Sequence, residues 1–183
     1  VLSKARDYLI LLGIAGLVVG LDQWAKYMVR MKLAIGETWS PTEWLGQFIR
    51  IVHWNNTGAA FGLFPEGGLV FTVVAIVVSV AILYYYPQVP SSKRALRFAL
   101  ALQLGGALGN LTSRLMHGTV TDFISVGTFP VFNVADSSIS IGVAILVGTM
   151  WIEERRGKTE QIDASPAEVE EGDGSPEVEP PIV

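Results

Sequence analysis

The 183-residue chain contains no cysteine. That excludes disulfides, a thiolate nucleophile, thiolate metal ligation and lipid attachment through cysteine. Charge is scarce as well. Asp, Glu, Lys and Arg make up 16% of the residues against 50% hydrophobic, and the mean hydropathy is +0.44. A soluble chain of this size needs a larger polar surface, so the composition points to an integral membrane protein. The two histidines, His53 and His117, have no ligand-like spacing to other donors. Both are read as loop residues, and neither a metal nor a cofactor is expected. There is no Gly-x-Ser-x-Gly turn, no His-Glu-x-x-His helix and no glycine-rich phosphate loop. No basic, aromatic-interleaved patch suggests nucleic acid, and no internal repeat is found.

What charge there is lies unevenly. The formal net charge is −4, yet residues 157–183 hold eight acids and one base. The remaining 156 residues hold twelve bases and nine acids, a balance suited to a protein beside anionic lipid. The stretch beyond Gly157 is acidic, proline-rich and poor in large apolar groups, so 157–183 is expected to be a disordered cytoplasmic tail. Residues 1–156 then form one membrane domain.

Four apolar runs supply spans of roughly the 20 residues a bilayer needs. They lie at about 8–29, 69–86, 95–112 and 137–152. The first starts like a signal peptide, with Lys4 and Arg6 ahead of an apolar run, but no small-x-small cleavage site follows. Leu21-Asp22-Gln23-Trp24-Ala25-Lys26 continues it at helical spacing with Asp22 and Lys26 at i, i+4, so a retained span is expected. Gly105, Gly106 and Gly109 in the third run permit close helix packing. Residues 31–68 break the helical period with Gly and Pro, and Phe48 to Trp54 is rich in strand formers. That segment is expected to form a small extramembrane sheet at headgroup level, where Trp39, Trp44 and Trp54 are at home. Eight of the thirteen bases fall on one side of this arrangement, which places both termini in the cytoplasm.

The remaining segment, Thr121 to Ile141, carries two carboxylates, Asp122 and Asp136, between apolar runs. Acids so close to hydrocarbon are costly to keep ionised and usually serve a function. Each has a plain alternative: Asp136 suits a helix N-cap, and Asp122 an ion pair with Arg114. Together, with Asn110 and Asn133 nearby, they are the minimum equipment for activating water without a metal, one as base and one as acid. A proton-coupled carrier using Asp22, Asp122 and Asp136 as a relay is the competing reading, although carriers often show repeats or broken helices.

Five blocks carry a resemblance. They are Leu21-Asp22-Gln23 with Lys26, Asn56-Thr57-Gly58-Ala59-Ala60-Phe61-Gly62, Gly105-Gly106-Ala107-Leu108-Gly109-Asn110 with Arg114, Val120-Thr121-Asp122-Phe123-Ile124, and Phe132-Asn133-Val134-Ala135-Asp136. In this order, over residues 8–152, the chain resembles the type II, or lipoprotein, signal peptidases of bacteria. The resemblance implies an α-helical membrane protease with four transmembrane helices and a small extracytoplasmic β-sheet (a β-cradle) between helices 1 and 2. It implies Asp122 and Asp136 as the catalytic dyad, with Asp22, Lys26, Asn56, Gly106, Asn110, Arg114, Asn133 and Ala135 lining or bracing the pocket. The implied substrate is a prolipoprotein carrying diacylglycerol on the lipobox cysteine, cut just before that cysteine at the outer face of the bacterial inner membrane. Inhibition by globomycin follows from the same likeness, and a monomer embedded in membrane lipid is expected. One departure stands out: the family commonly has Asp before the arginine of the third block, and this chain has Ser113.

Overall fold

The computed structural model describes residues 2–58 and 67–163. Contacts divide the chain into two units, 1–149 and 150–183. The elements in order are α1 (Leu2–Lys32), β1 (Thr38–Trp39), α2 (Glu43–Gly46), β2 (Ile49–Asn56), α3 (Gly68–Tyr85), a 3₁₀ turn (Tyr86–Gln88), α4 (Arg94–His117), β3 (Val120–Val126) and α5 (Val134–Asp163).

Among the described residues, three segments are long and apolar enough to cross a membrane: Lys4–Lys32, Gly68–Gln88 and Val134–Arg155. Their large side chains point outward. Leu9, Leu12 and Leu17 of α1 and Val70, Val73, Val77 and Val80 of α3 are exposed, which is tolerable only against hydrocarbon. α4 has the length but not the hydropathy, and its packing explains why. Arg97, Asn110 and Ser113 are all buried on it, so its polar groups face protein rather than lipid. The core forms where α4 meets α1 and the end of α3, around Leu11, Ala15, Ile82, Tyr86, Ala101 and Leu104. Gly105 makes the α1–α4 approach possible, since a Cβ there would stand 2.7 Å from Val18 Cβ and 3.0 Å from Ala15 O. Near the start of α4, Arg97 pairs with Asp7 at 2.8 Å and lies over the Tyr86 ring.

The sheet is three-stranded and antiparallel, in the order β1-β2-β3. The sequence suggests a sheet confined to 31–68. The structure corrects this, because the third strand is Val120–Val126, the segment that holds Asp122. The physical signal is present in the residues. Val120, Thr121, Ile124 and Val126 are β-branched, and the strand is bounded by Gly118 (φ 71°) and Gly127 (φ 51°). Ile51 pairs with Ile124 and Trp54 with Asp122, so β2 carries one extra residue at Val52–His53. His53 is therefore buried strand and not loop, its Nδ1 2.8 Å from the carbonyl of Leu33 just past α1. His117 likewise belongs to the last turn of α4.

After Gly127 the chain folds back, and Phe132 exchanges backbone hydrogen bonds with Ile124 (2.7 and 3.1 Å). That return sets Asn133 and the start of α5 beside β3. α5 continues to Asp163, past Gly157 where the sequence suggests that the tail begins. Residues 164–183 of the acidic segment, and Ala59–Gly62 of the small-residue block, lie outside the described residues.

Candidate active site

Asn133 organises the site. It is the residue before α5, and its side-chain Oδ1 accepts from the Asp136 N–H at 3.0 Å while Asp136 Oδ2 accepts from the Asn133 N–H at 3.2 Å. This reciprocal arrangement is a capping box, with Asp136 in its third helical position rather than at the cap itself. The other end of Asn133 reaches β3, where Nδ2 donates to Asp122 Oδ1 at 2.6 Å. One fully buried amide thus touches both aspartates. Asp122 takes a second donor from Asn56 Nδ2 (2.8 Å), its diagonal neighbour across the β2–β3 pair. Asp136 takes its second from Asn110 Nδ2 (2.7 Å), one turn before Arg114 on α4.

Behind the aspartates lies a buried charge pair. Lys26 Nζ donates to Asp22 Oδ2 (2.7 Å), Asn110 Oδ1 (2.8 Å) and Ser113 Oγ (3.2 Å), which uses all three of its protons. Asp22 Oδ1 accepts from the Ala135 N–H at 3.0 Å, placing a carboxylate from α1 at the N-terminus of α5. Gln23 Nε2 ties Asp22, Ser113 and the Gly109 carbonyl together (2.9–3.1 Å). Ser113 therefore serves as a neutral partner for Lys26. Gly106 allows α4 to lie against the start of α5, since a Cβ there would stand 2.5 Å from Ala135 O. Arg114 lies with its guanidinium 5.6 Å from the Phe71 ring centre. Among the described residues it makes no ion pair with Asp122.

The aspartates open onto a cavity of about 750 Å³. Asn56, Asn110, Arg114, Asp122 and Asp136 form its polar end, and Phe71, Val74, Ala75, Val78, Ala107 and Ile139 much of its apolar wall. Burial, and then the neighbouring charge of Asp136, push the Asp122 carboxyl up from 3.8 to about 6, against the pull of the Asn56 and Asn133 hydrogen bonds and of Lys26. Such a pair can hold one proton between two carboxyls near neutral pH, which is what acid–base activation of water requires. Among the described residues no cluster of three or more His, Asp or Glu side chains could hold a metal.

All ten residues singled out from the sequence meet in or beside this network. The sequence did not single out Gln23 or Gln103 as site residues. Gln103 lines the cavity seven residues before Asn110, a spacing that puts both on one helical face.

Residues 14–152 match the family model described as signal peptidase (SPase) II. The chain belongs to the signal peptidase II family. It is therefore a protease. The lipoprotein signal peptidase of Moorella thermoacetica is 44% identical over 133 residues, covering 73% of this chain and 87% of that one. That of Halalkalibacterium halodurans is 36% identical over 152 residues, covering 81% and 96%. A bacterial membrane enzyme structure determined by the in meso method at 2.3 Å resolution superposes with a TM-score of 0.73 at 30% identity, covering 79% of this chain and 89% of that one. This signal peptidase II chain thus shares the fold of a bacterial membrane enzyme over most of its length.

Proposed function

We propose that the chain is an aspartyl endopeptidase that removes the signal peptide from diacylglyceryl-modified prolipoproteins, cutting just before the lipidated cysteine. The observation that carries this reading is the pair Asp122 and Asp136, held by the side-chain amide and the backbone N–H of Asn133 at the polar end of an apolar cavity. In the reaction, one carboxylate takes a proton from water as the oxygen attacks the scissile carbonyl carbon. The other carboxyl gives its proton to the carbonyl oxygen. The resulting gem-diol collapses, the C–N bond breaks, and a proton passes to the amine of the cysteine. No covalent intermediate forms. Asn56, Asn110 and Asn133 keep the two carboxyls oriented, Lys26 and Asp22 brace Asn110 and the start of α5, Gly106 and Ala135 let α4 and α5 close up, and Arg114 supplies positive charge to the substrate from the wall.

The chain is read as a monomer of the bacterial inner membrane with α4 as a fourth span, both termini cytoplasmic, and the sheet and aspartates at the outer face. Lipid tails lie in hydrocarbon and in the apolar cavity, each buried methylene contributing about 0.8 kcal/mol. A globomycin-type inhibitor would occupy the same cavity.

The experiment is cleavage of diacylglyceryl-modified and unmodified prolipoprotein in detergent, with mass analysis of the products. The modified precursor should be cut just before the cysteine, and the unmodified one more slowly by on the order of a hundredfold. Equal turnover of the two would remove lipid recognition from the account.

A further inference from the structure

Gln103 lies two helical turns from Asn110 on the same face of α4, about 10 Å further from the sheet at the usual rise per residue. It lines the cavity among Val78, Ala107 and Ile139. Its stem is held in place by α5, because Gly142 lets the helices close until a Cβ at that position would stand 2.9 Å from Gln103 Cγ. Among the described residues its carboxamide makes no hydrogen bond. Gln103 is half-buried at the cavity wall, so a substrate chain that covers it must replace the hydrogen bonds that its carboxamide otherwise makes with water.

The substrate supplies such a group under the function proposed above, on which this inference rests. A peptide must be unwound at the bond that is cut, and every unwound residue leaves an N–H and a C=O without a helical partner. The apolar wall offers these groups nothing. The Gln103 carboxamide offers a donor and an acceptor in the geometry of a peptide unit. With the sheet at the outer face, the chain running away from the aspartates into the cavity is the signal-peptide side. At about 3.3 Å per extended residue, Gln103 meets it about three residues before the scissile bond.

We propose that Gln103 is a substrate-positioning residue that hydrogen-bonds the unwound backbone of the signal peptide about three residues before the cut. It keeps the chain extended, so that the scissile carbonyl stays at the aspartates.

The test pairs enzyme variants with substrates in which one backbone amide at a time is replaced by an ester, using lipidated precursor throughout. Cleavage by the wild type at the expected bond first establishes the enzymatic reading by itself. Gln103→Leu should then lower kcat/KM about tenfold, as for loss of one buried hydrogen bond. An ester at one position near the third residue before the cut should cost the wild type about as much and cost Gln103→Leu almost nothing further. Gln103→Met serves if the leucine variant does not fold. Unchanged cleavage by a folded variant, or equal loss from every ester in wild type and variant, would overturn the proposal. So would a dialkyl-ether lipid that slows the wild type and not the variant, since the partner would then be the lipid ester.

Discussion

Asp122 and Asp136 each accept two hydrogen bonds and share one donor residue, so Asp136 cannot turn away without breaking the cap of α5, nor Asp122 without losing the side chain that forms that cap. That is how a carboxylate pair is kept in register beside an apolar cavity. The same burial raises the cost of ionising Asp122, whose carboxyl lies at about 6. The sign is fixed by linkage: between its ordinary value of 3.8 and about 6, the folded protein holds a proton that the unfolded chain has released. Stability contributed by this group is full below about pH 4 and is lost as pH rises through about 6. Activity runs the same way, because Asp122 titrates beside an already charged Asp136 and is the acid of the pair. kcat/KM should fall above about pH 6, approaching tenfold per unit, and the apparent value belongs to the pair rather than to one residue. A profile flat from pH 4.5 to 7.5, measured under conditions where the protein stays folded, would contradict this assignment of the acid.

Among the elements, α4 and α5 depend most on small residues. A methyl group at Gly106 would meet Ala135 O at 2.5 Å, Ile139 Cγ1 at 2.6 Å and Ser138 Oγ at 2.6 Å, two of them atoms that cannot swing aside freely. Gly106→Ala should push the start of α5 off α4, lower stability by about 1–3 kcal/mol and cut kcat/KM by more than tenfold, since Asp136 rides on that helix end. Thermal melting and single-turnover cleavage check the two parts separately. Gly148→Ala, at a glycine with open space around it, is the control. Much of this level was legible in the sequence. The three apolar helices follow from their run lengths, and Asp22 and Lys26 at i, i+4 were visible as a pair. β3 is less legible, because it is short and carries the acidic Asp122, although its β-branched residues between two glycines suit a strand. α4 reads as a span only when Arg97, Asn110 and Ser113 are allowed to face protein, and that is a tertiary fact.

At the scale of the whole molecule, a polar network held by α1, the sheet, α4 and α5 sits at one end of a set of outward-facing apolar helices. The absence of cysteine makes the proposed orientation easy to test. In intact spheroplasts, a membrane-impermeant maleimide should label Glu43→Cys on the sheet side and leave Lys4→Cys unlabelled until the membrane is opened; the reverse pattern would invert the topology. The described residues of the five sequence blocks come together in three dimensions because the sheet recruits β3 and folds the chain back at Phe132, joining residues that lie more than a hundred positions apart, as Asp22 and Ala135 do. No local pattern shows that convergence, nor the cavity it opens onto. The central claim is that these two aspartates perform the hydrolysis. Its most direct test is single-turnover cleavage of diacylglyceryl-modified prolipoprotein by wild type, Asp122→Asn and Asp136→Asn, each confirmed as folded by its melting transition. The account predicts cleavage by the wild type and a loss of at least about a thousandfold in both variants. Cleavage within about tenfold of wild type by either folded variant would show that its aspartate is structural and that the water is activated elsewhere.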